Sequence, residues 1–257
     1  MKAVRKLAYR MKRGAAKVAN RVMGGRSAAA ERWEPILTRI PPLEEYDAVG
    51  HPENYYIHPG YHPRADNEFF DDTPLTDEWQ KEVYQFAREI ADLHGLRRIL
   101  DVGCGSGYKL VKYFGDFDTL GVDLAPTVAF LRKKYPTRRW EICDFKSLPD
   151  FLPDLIVCAD VIEHLKDPGE LIRYLKGFPN AHLVISTPER NLMFQGTHNG
   201  PPRNRAHVRE WSMAEFRAFM QSEFRVLCHF ISNRSQATQC VWAVRKDRLD
   251  FNPGVRG

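Results

Sequence analysis

The sequence lacks the features that mark a membrane-spanning or a disulfide-bonded protein. It has no run of about 18 consecutive apolar residues, the length that a transmembrane helix needs. Its cysteines are few, odd in number and scattered, and no C-x-x-C pair occurs among Cys104, Cys143, Cys158, Cys228 and Cys240. We therefore expect buried free thiols rather than a zinc cage or a disulfide framework. With 257 residues and 43% hydrophobic content, the chain can form a core without such staples.

Acidic residues are absent from residues 1–30, which hold nine of the 38 basic residues. The remaining residues therefore have 29 basic and 33 acidic side chains, a net charge of −4. Apolar residues at three-four spacing predict a basic amphipathic helix over residues 1–30, which we call the basic arm. Peripheral contact with an anionic membrane surface and a simply solvated arm both fit this pattern, and a mitochondrial targeting segment is a further alternative, although many of its cations are lysines and serine is scarce. The acidic body makes nucleic acid the less expected partner.

The charge and composition divide the chain into four parts. After the arm, residues 31–74 are rich in proline and aromatic residues and are predicted to form a lid or substrate segment, with Tyr61 as a candidate acceptor contact. The alternative is that these rings only cover the core. Residues 75–246 form the predicted main domain, and residues 247–257 a tail. Without a long apolar signal region, we expect a cytoplasmic protein, membrane-associated if the arm binds lipid.

Apolar runs alternate with helical periodicity through the main domain. Strands are predicted at 97–102, 118–122, 139–143, 154–159, 181–186, 224–232 and 238–246. Helices are predicted at 75–94, 107–115, 126–135, 168–178 and 212–222. Strands that alternate with helices indicate parallel βαβ units, whereas the short connection between the last two strands requires an antiparallel hairpin. The predicted fold is therefore α/β, with a mostly parallel sheet, helices on both faces and a C-terminal hairpin.

A glycine-rich turn follows the first predicted strand, in the run Asp101-Val-Gly103-Cys-Gly105-Ser-Gly107. Glycines allow a ligand to approach the backbone, and the start of the next helix adds free N–H donors. The third glycine comes one position too early for the G-x-G-x-x-G dinucleotide fingerprint. This spacing disfavours a nicotinamide dehydrogenase.

Acidic residues also end the second and third predicted strands, at Asp123 and Asp144. An acid at the second strand end can accept hydrogen bonds from ribose hydroxyls. An acid at the third can accept from an adenine amino group while Phe145 packs beside the base. Either acid could instead cap the following helix. Their occurrence at successive strand ends favours the ligand hypothesis.

These motifs and the closing hairpin resemble class I S-adenosylmethionine-dependent methyltransferases over residues 75–246. The resemblance implies a Rossmann-like, seven-stranded sheet and S-adenosylmethionine (SAM) as cofactor. It also implies that the glycines pack against the methionine part, with Asp101 near its amino group, Asp123 at the ribose and Asp144 at the adenine. The implied cofactor contacts are Asp101, Gly103, Gly105, Gly107, Asp123, Leu124, Asp144, Phe145 and Asp160.

The run Asp160-Val-Ile-Glu163-His164 resembles the E-x-x-E-H segment of ubiquinone-biosynthesis and small-RNA 2′-O-methyltransferases. In those families the acids and the histidine hold a divalent cation, and the RNA group adds a later histidine that matches His207. The resemblance implies Asp160, Glu163, His164 and His207 as candidate ligands for Mg²⁺ or Mn²⁺. Aspartate stands where those families have glutamate, and mixed nitrogen and oxygen donors suit Mn²⁺ better than Mg²⁺. His164 and His207 are alternatively the catalytic bases.

Residues 191–210 form a long segment without periodicity on the cofactor side of the sheet. Its cations Arg203, Arg205 and Arg209 are candidate contacts for an anionic acceptor. The leading hypothesis is a SAM-dependent O-methyltransferase that acts on a small molecule or a glycan, including a lipid-linked one. An RNA 2′-O-methyltransferase with a divalent metal and an inactive, cofactor-binding regulatory subunit are the alternatives.

Overall fold

The computed structural model describes residues 50–74, 79–194 and 198–248. The basic arm 1–30, the start of the aromatic segment and most of the tail lie outside the described residues. In the part of the chain that is described, no helix is long and apolar enough to cross a bilayer.

The strands of the described residues are β1 Arg98–Val102, β2 Asp118–Asp123, β3 Arg139–Ile142, β4 Leu155–Ala159, β5 His182–Pro188, β6 Phe224–Asn233 and β7 Thr238–Arg245. They form one mixed sheet in the order β3-β2-β1-β4-β5-β7-β6. The first five strands pair in parallel. Strand β7 pairs antiparallel with both β5 and β6. The predicted fold, including the terminal hairpin, is confirmed.

The α-helices cover both faces of this sheet. They are α1 Lys81–His94, α2 Tyr108–Phe114, α3 Ala125–Lys134, α4 Pro168–Lys176, α5 Arg190–Phe194 and α6 Met213–Glu223. Alternate strand residues point to opposite faces, so Ile99 packs with α1, α2 and α3. Leu100 packs in a second cluster with α4 and α6. The parallel strands consequently end at one edge between two cores, where the predicted acids lie together.

Helix α1 begins later than predicted. Gln80 takes a left-handed conformation, with φ of 59°, so the regular helix starts at Lys81. Trp79, which fits the helical spacing, precedes the helix and is 54% exposed. The segment predicted to be irregular after β5 also contains a short helix, α5.

The hairpin strand β6 forms one edge of the sheet. Its register with β7 shifts twice, between Val226 and Cys228 and between Ile231 and Asn233. At the opposite edge, β3 has only four residues.

Residues 50–74 lie along the loop that precedes α6. The amides of His62, Arg64 and Glu68 donate to carbonyls of that loop over 2.7, 2.8 and 3.0 Å. Asn67 donates to the carbonyls of His164 and Ala206. The aromatic segment therefore forms a wall beside the carboxyl ends of β4 and β5.

Candidate active site

The glycine turn connects β1 to α2. Gly103, Gly105 and Gly107 all have positive φ, at 70°, 51° and 68°, a conformation that other residues adopt at a cost. At Gly103 a Cβ would lie 2.3 Å from the Val161 side chain. The turn thus needs glycine for both its conformation and its close packing.

Asp101, at the end of β1, is fully buried. The Tyr84 hydroxyl on α1 lies 3.0 Å from both of its carboxylate oxygens. Burial raises the pKa of Asp101 to about 7, against the lowering effect of the Tyr84 hydrogen bond and of Lys109. Tyr84 was not predicted as a site residue, because only the packing of α1 on the sheet brings it to Asp101.

Asp123 connects the second strand end to the glycine turn. Its Oδ2 accepts from the Gly105 amide at 2.8 Å and its Oδ1 from the Leu124 amide at 2.7 Å. Burial raises its pKa, and these two hydrogen bonds oppose the shift. The next side chain, Leu124, is 50% exposed and offers an apolar surface beside the carboxylate.

Asp144 and Phe145 follow β3, as predicted. The exposed Asp144 accepts from the Lys146 amide at 3.0 Å, so the carboxylate also closes a local turn. Phe145 is half-buried, with its ring centroid 5.5 Å from that of Tyr174. Its proposed contact with a base remains a prediction.

Three of the four predicted metal ligands come together. Glu163, His164 and His207 each offer a ligand atom, and these atoms lie within 4.8 Å of one another. Asp160 is not a member of this group. It has a positive φ of 52°, and its Oδ1 accepts from the Ser186 hydroxyl at 2.5 Å.

Glu163 is fully buried, and its two carboxylate oxygens differ in their hydrogen bonding. Its Oε2 accepts from the Thr187 hydroxyl at 3.0 Å. Its Oε1 has no hydrogen-bond partner among the described residues and lies 4.0 Å from Nε2 of His164. Burial, followed by repulsion from Asp160, raises the pKa of Glu163 well above its usual range.

Hydrogen bonds fix the orientation of both imidazoles. Nδ1 of His164 lies 3.0 Å from the Ala206 carbonyl, which can only accept, so this nitrogen carries the proton. Burial, then the neighbouring His207, lowers the pKa of His164 to about 4. His164 is therefore neutral near pH 7, with the lone pair on Nε2.

His207 has a comparable arrangement. Its Nδ1 lies 2.7 Å from Oε1 of the buried Glu210, and its Nε2 lies 2.9 Å from Nδ2 of Asn204. The Asn204 oxygen accepts from the Ala206 amide, which directs its NH₂ group toward His207. Glu210 and Asn204 are site residues that the sequence reasoning missed, although the three-residue spacing of His207 and Glu210 was a signal.

Tyr61 and Arg209, predicted as acceptor contacts, are committed to the protein's own structure. Tyr61 is 6% exposed, and its hydroxyl accepts from the Glu210 amide at 3.0 Å. The Arg209 guanidinium is buried and donates to the carbonyls of Leu165 and Lys166 at 3.2 and 3.0 Å. Both predictions depend on loop composition, which does not reveal these hydrogen-bond partners.

The other two predicted cations are exposed. Arg205 pairs with Glu68 at 2.7 Å, and the Arg203 guanidinium lies 4.6 Å from the centre of the Phe194 ring. Both remain candidate contacts for an acceptor.

Comparisons with known proteins agree with this architecture. The profile of a methyltransferase-domain family matches residues 31–239. A probable S-adenosylmethionine-dependent methyltransferase of Mycolicibacterium smegmatis is 32% identical over 136 residues, 49% of this chain and 51% of that protein. The small RNA 2′-O-methyltransferase of Rattus norvegicus is 29% identical over 174 residues, 54% of this chain and 41% of that protein. The matches thus span about half or less of these relatives' length.

A solved structure has the same fold. The methyltransferase domain of bacterial CtHen1-C aligns with a TM-score of 0.51 and 20% identity, over 65% of this chain and all of that domain. Given the profile match across most of the sequence and a seven-stranded sheet with acids beside its glycine turn, the chain belongs to the methyltransferase-domain family, among the class I SAM-dependent methyltransferases.

Proposed function

We propose that the protein transfers the methyl group of SAM to an acceptor hydroxyl beside Glu163, His164 and His207. The observation that carries this proposal is the buried, unpartnered Oε1 of Glu163, placed 4.0 Å from the lone-pair nitrogen of His164. Buried polar atoms usually have partners. An exception of this kind, shared with two imidazoles, is typical of a site that completes itself with a cation or a substrate proton.

The cofactor side of the site fits SAM. The glycine turn leaves room above the backbone, Asp123 has lone pairs for ribose hydroxyls, and Leu124 presents an apolar surface to a base. Asp101 supplies negative charge for an ammonium group. When bound, SAM supplies an electrophilic methyl group on a sulfonium, and the protein's task is to align it with the acceptor.

In the absence of a cation, His164 can remove the proton from the hydroxyl group that is to be methylated. Its Nδ1–H is held by the Ala206 carbonyl, which leaves Nε2 as the basic atom. Because its pKa is about 4, the imidazole is unprotonated at neutral pH but is a weak base. A cation bound at Nε2 would take the place of this base, because the same lone pair cannot also accept a proton, and it would instead lower the pKa of the hydroxyl itself.

The donor set fits a divalent cation in a specific way. Histidine ligands of metals usually donate their second ring nitrogen to a carbonyl or a carboxylate. His164 does so to Ala206 and His207 to Glu210, and Glu163 has an oxygen to spare. Two imidazoles and one carboxylate favour Mn²⁺ over Mg²⁺. We assign Glu163, His164 and His207 as the ligands and leave Asp160 out; to bind the cation, Nε2 of His207 would give up the hydrogen bond that it accepts from the Asn204 amide.

The acceptor is proposed to be a small molecule or a glycan, including a lipid-linked one. Phe69 and Phe70 are 62% and 50% exposed, and the Phe70 ring stacks on His164 with centroids 6.3 Å apart. Rings at the mouth of the site suit a planar or sugar-like acceptor. RNA ribose is the second candidate, favoured by the ligand set that the sequence shares with the small-RNA enzymes.

Manganese binding tests the cation site directly. The wild type is titrated with Mn²⁺, and binding is measured as the loss of the paramagnetic resonance signal of the free ion. The titration should show one binding site. Glu163→Gln should weaken it by at least about tenfold. Asp160→Asn removes a neighbouring acid that is not a ligand and should weaken it much less. Equal effects of both variants, or no Mn²⁺ binding to the wild type, would remove the cation from the proposal.

An acceptor screen with methyl-labelled SAM tests the hydroxyl assignment. Lysate fractions separated into small-molecule, lipid-linked glycan, RNA and protein pools should show labelling in one of the first two, sensitive to EDTA and restored by Mn²⁺. Labelling confined to RNA, with a steep salt dependence, would establish the second candidate. Label on nitrogen or carbon would refute O-methylation.

We further propose that residues 1–30 bind anionic membranes, since their nine cations are unopposed by acids. Sedimentation with vesicles containing phosphatidylserine should retain the full chain and lose a variant lacking this arm. Equal retention of both proteins would contradict the proposal.

A further inference from the structure

Asp72, which lies outside every sequence motif, contacts the glycine turn. A Cβ added to Gly105 would lie 1.9 Å from Oδ2 of Asp72 and 2.8 Å from Oδ1. No side chain fits between them, so the carboxylate rests on the central glycine of the turn. Gly105 is thus a glycine for two reasons, its positive φ of 51° and the acid above it.

This position places three carboxylates around one turn. The Gly105 amide donates to Asp123 at 2.8 Å, while the Asp72 carboxylate lies where a side chain at the α-carbon of the same residue would be. The charge of Asp72 also acts on Asp101, whose pKa it raises, and Lys109 is the nearby cation that opposes these acids. Carboxylates gathered around one partly buried turn repel one another, which favours their protonated forms.

Among the described residues, the only hydrogen bond that lowers the pKa of Asp72 comes from its own backbone amide. The turn at this point is closed by its neighbour Asp71, whose carboxylate accepts from the amide of Thr73 at 3.0 Å and from its hydroxyl at 2.7 Å. Asp71 is exposed, whereas burial, then repulsion from Asp123, raises the pKa of Asp72 to about 6. The two adjacent acids therefore differ in environment but not in chemistry.

We propose that Asp72 faces the cofactor and makes the site prefer SAM to its product, S-adenosylhomocysteine (SAH). SAM carries a sulfonium charge that SAH lacks, and this is the only difference in charge between the two molecules. A third carboxylate beside the cofactor cradle stabilises the charged sulfonium and gains nothing from a neutral thioether. The residue thereby favours product release, whichever acceptor the enzyme methylates.

Calorimetry with SAM and with SAH tests this assignment without any turnover. Asp72→Asn should weaken SAM binding about tenfold, the size of one charge-assisted contact, and change SAH binding less than about twofold. Asp71→Asn, which removes the same charge one residue away, is the matched control and should alter neither affinity. Asp72→Ala should repeat the loss of preference, and melting of the unliganded variants checks that they are folded.

Three results would overturn the proposal. Equal weakening of SAM and SAH would make Asp72 a general structural support of the site. Tighter binding of both would make it a plug that the cofactor displaces. Unchanged affinities in Asp72→Asn and Asp72→Ala would separate it from the cofactor, while leaving the hydroxyl and cation proposals intact.

Discussion

Replacing Asp101 with asparagine should stabilise the unliganded protein at high pH while impairing cofactor binding. The carboxylate is fully buried, and its pKa is raised from 3.8 to about 7. Because the folded state holds this proton more tightly than the unfolded chain, the stability of the wild type falls as the pH rises through this window. Asparagine carries no charge at any pH, so the variant escapes this loss.

The magnitude follows from the pKa shift. At about 1.4 kcal/mol per unit, ionising Asp101 costs the folded state roughly 4 kcal/mol above pH 7. Part of this cost is already present at pH 5, so the advantage of Asp101→Asn should grow by roughly 2–3 kcal/mol between pH 5 and pH 8. The comparison between pH values cancels any fixed cost of burying the amide beside Tyr84.

Denaturant unfolding of the unliganded wild type and variant at several pH values measures this difference. The control is Asp118→Asn, since Asp118 is exposed and pairs with Arg98 and Arg139, and it should change stability by less than about 1 kcal/mol at any pH. Calorimetry should show weaker SAM binding by Asp101→Asn at pH 8. Parallel stability profiles for Asp101→Asn and the wild type would refute the claim that Asp101 ionises at an energetic cost.

Three further outcomes are expected from the same geometry. Asp123→Ala should weaken SAM binding by roughly 2–4 kcal/mol through loss of charge-assisted hydrogen bonds, whereas calorimetry should find Asp118→Ala nearly unchanged. Arg209→Ala should lower the free energy of unfolding by roughly 1–3 kcal/mol, because the carbonyls of Leu165 and Lys166 lose the donor that the buried guanidinium provides; exposed Arg205→Ala should cost less than about 0.5 kcal/mol, and equal costs would contradict the buried role. The His164 ring signal should show no titration between pH 6 and 8 by nuclear magnetic resonance, since its pKa is about 4, and a midpoint near 6.5 would disprove the buried neutral state.

The order of elements could be predicted because each strand has an apolar run and each helix a repeating apolar face. The two differences between the predicted and the observed helices come from local backbone conformation. Gln80 adopts a left-handed conformation that delays α1, and α5 forms within a segment that has no periodicity. Neither follows from hydrophobic patterning, which reports burial rather than dihedral angles.

The position of Asp101 and Asp123 at one edge of the sheet was predictable because parallel strands end there together, and their contact with the cofactor stays a prediction. Tyr84 and Asp72 were not, since each reaches the site from an element outside the motif run. Arg209 shows another limit of the sequence: a cation in a polar loop was predicted to contact the acceptor, and its position in the loop did not reveal that its guanidinium is buried and donates to two carbonyls. Sequence position revealed the strand ends, and only tertiary packing revealed what surrounds them.

The bulged strand β6 has a consequence for how copies of this protein meet. An open sheet edge can recruit a strand from another molecule, and bulges or short strands prevent such pairing. Here one edge is interrupted at two places along β6, and the other, β3, is four residues long. Both described edges of the sheet therefore disfavour growth by strand addition.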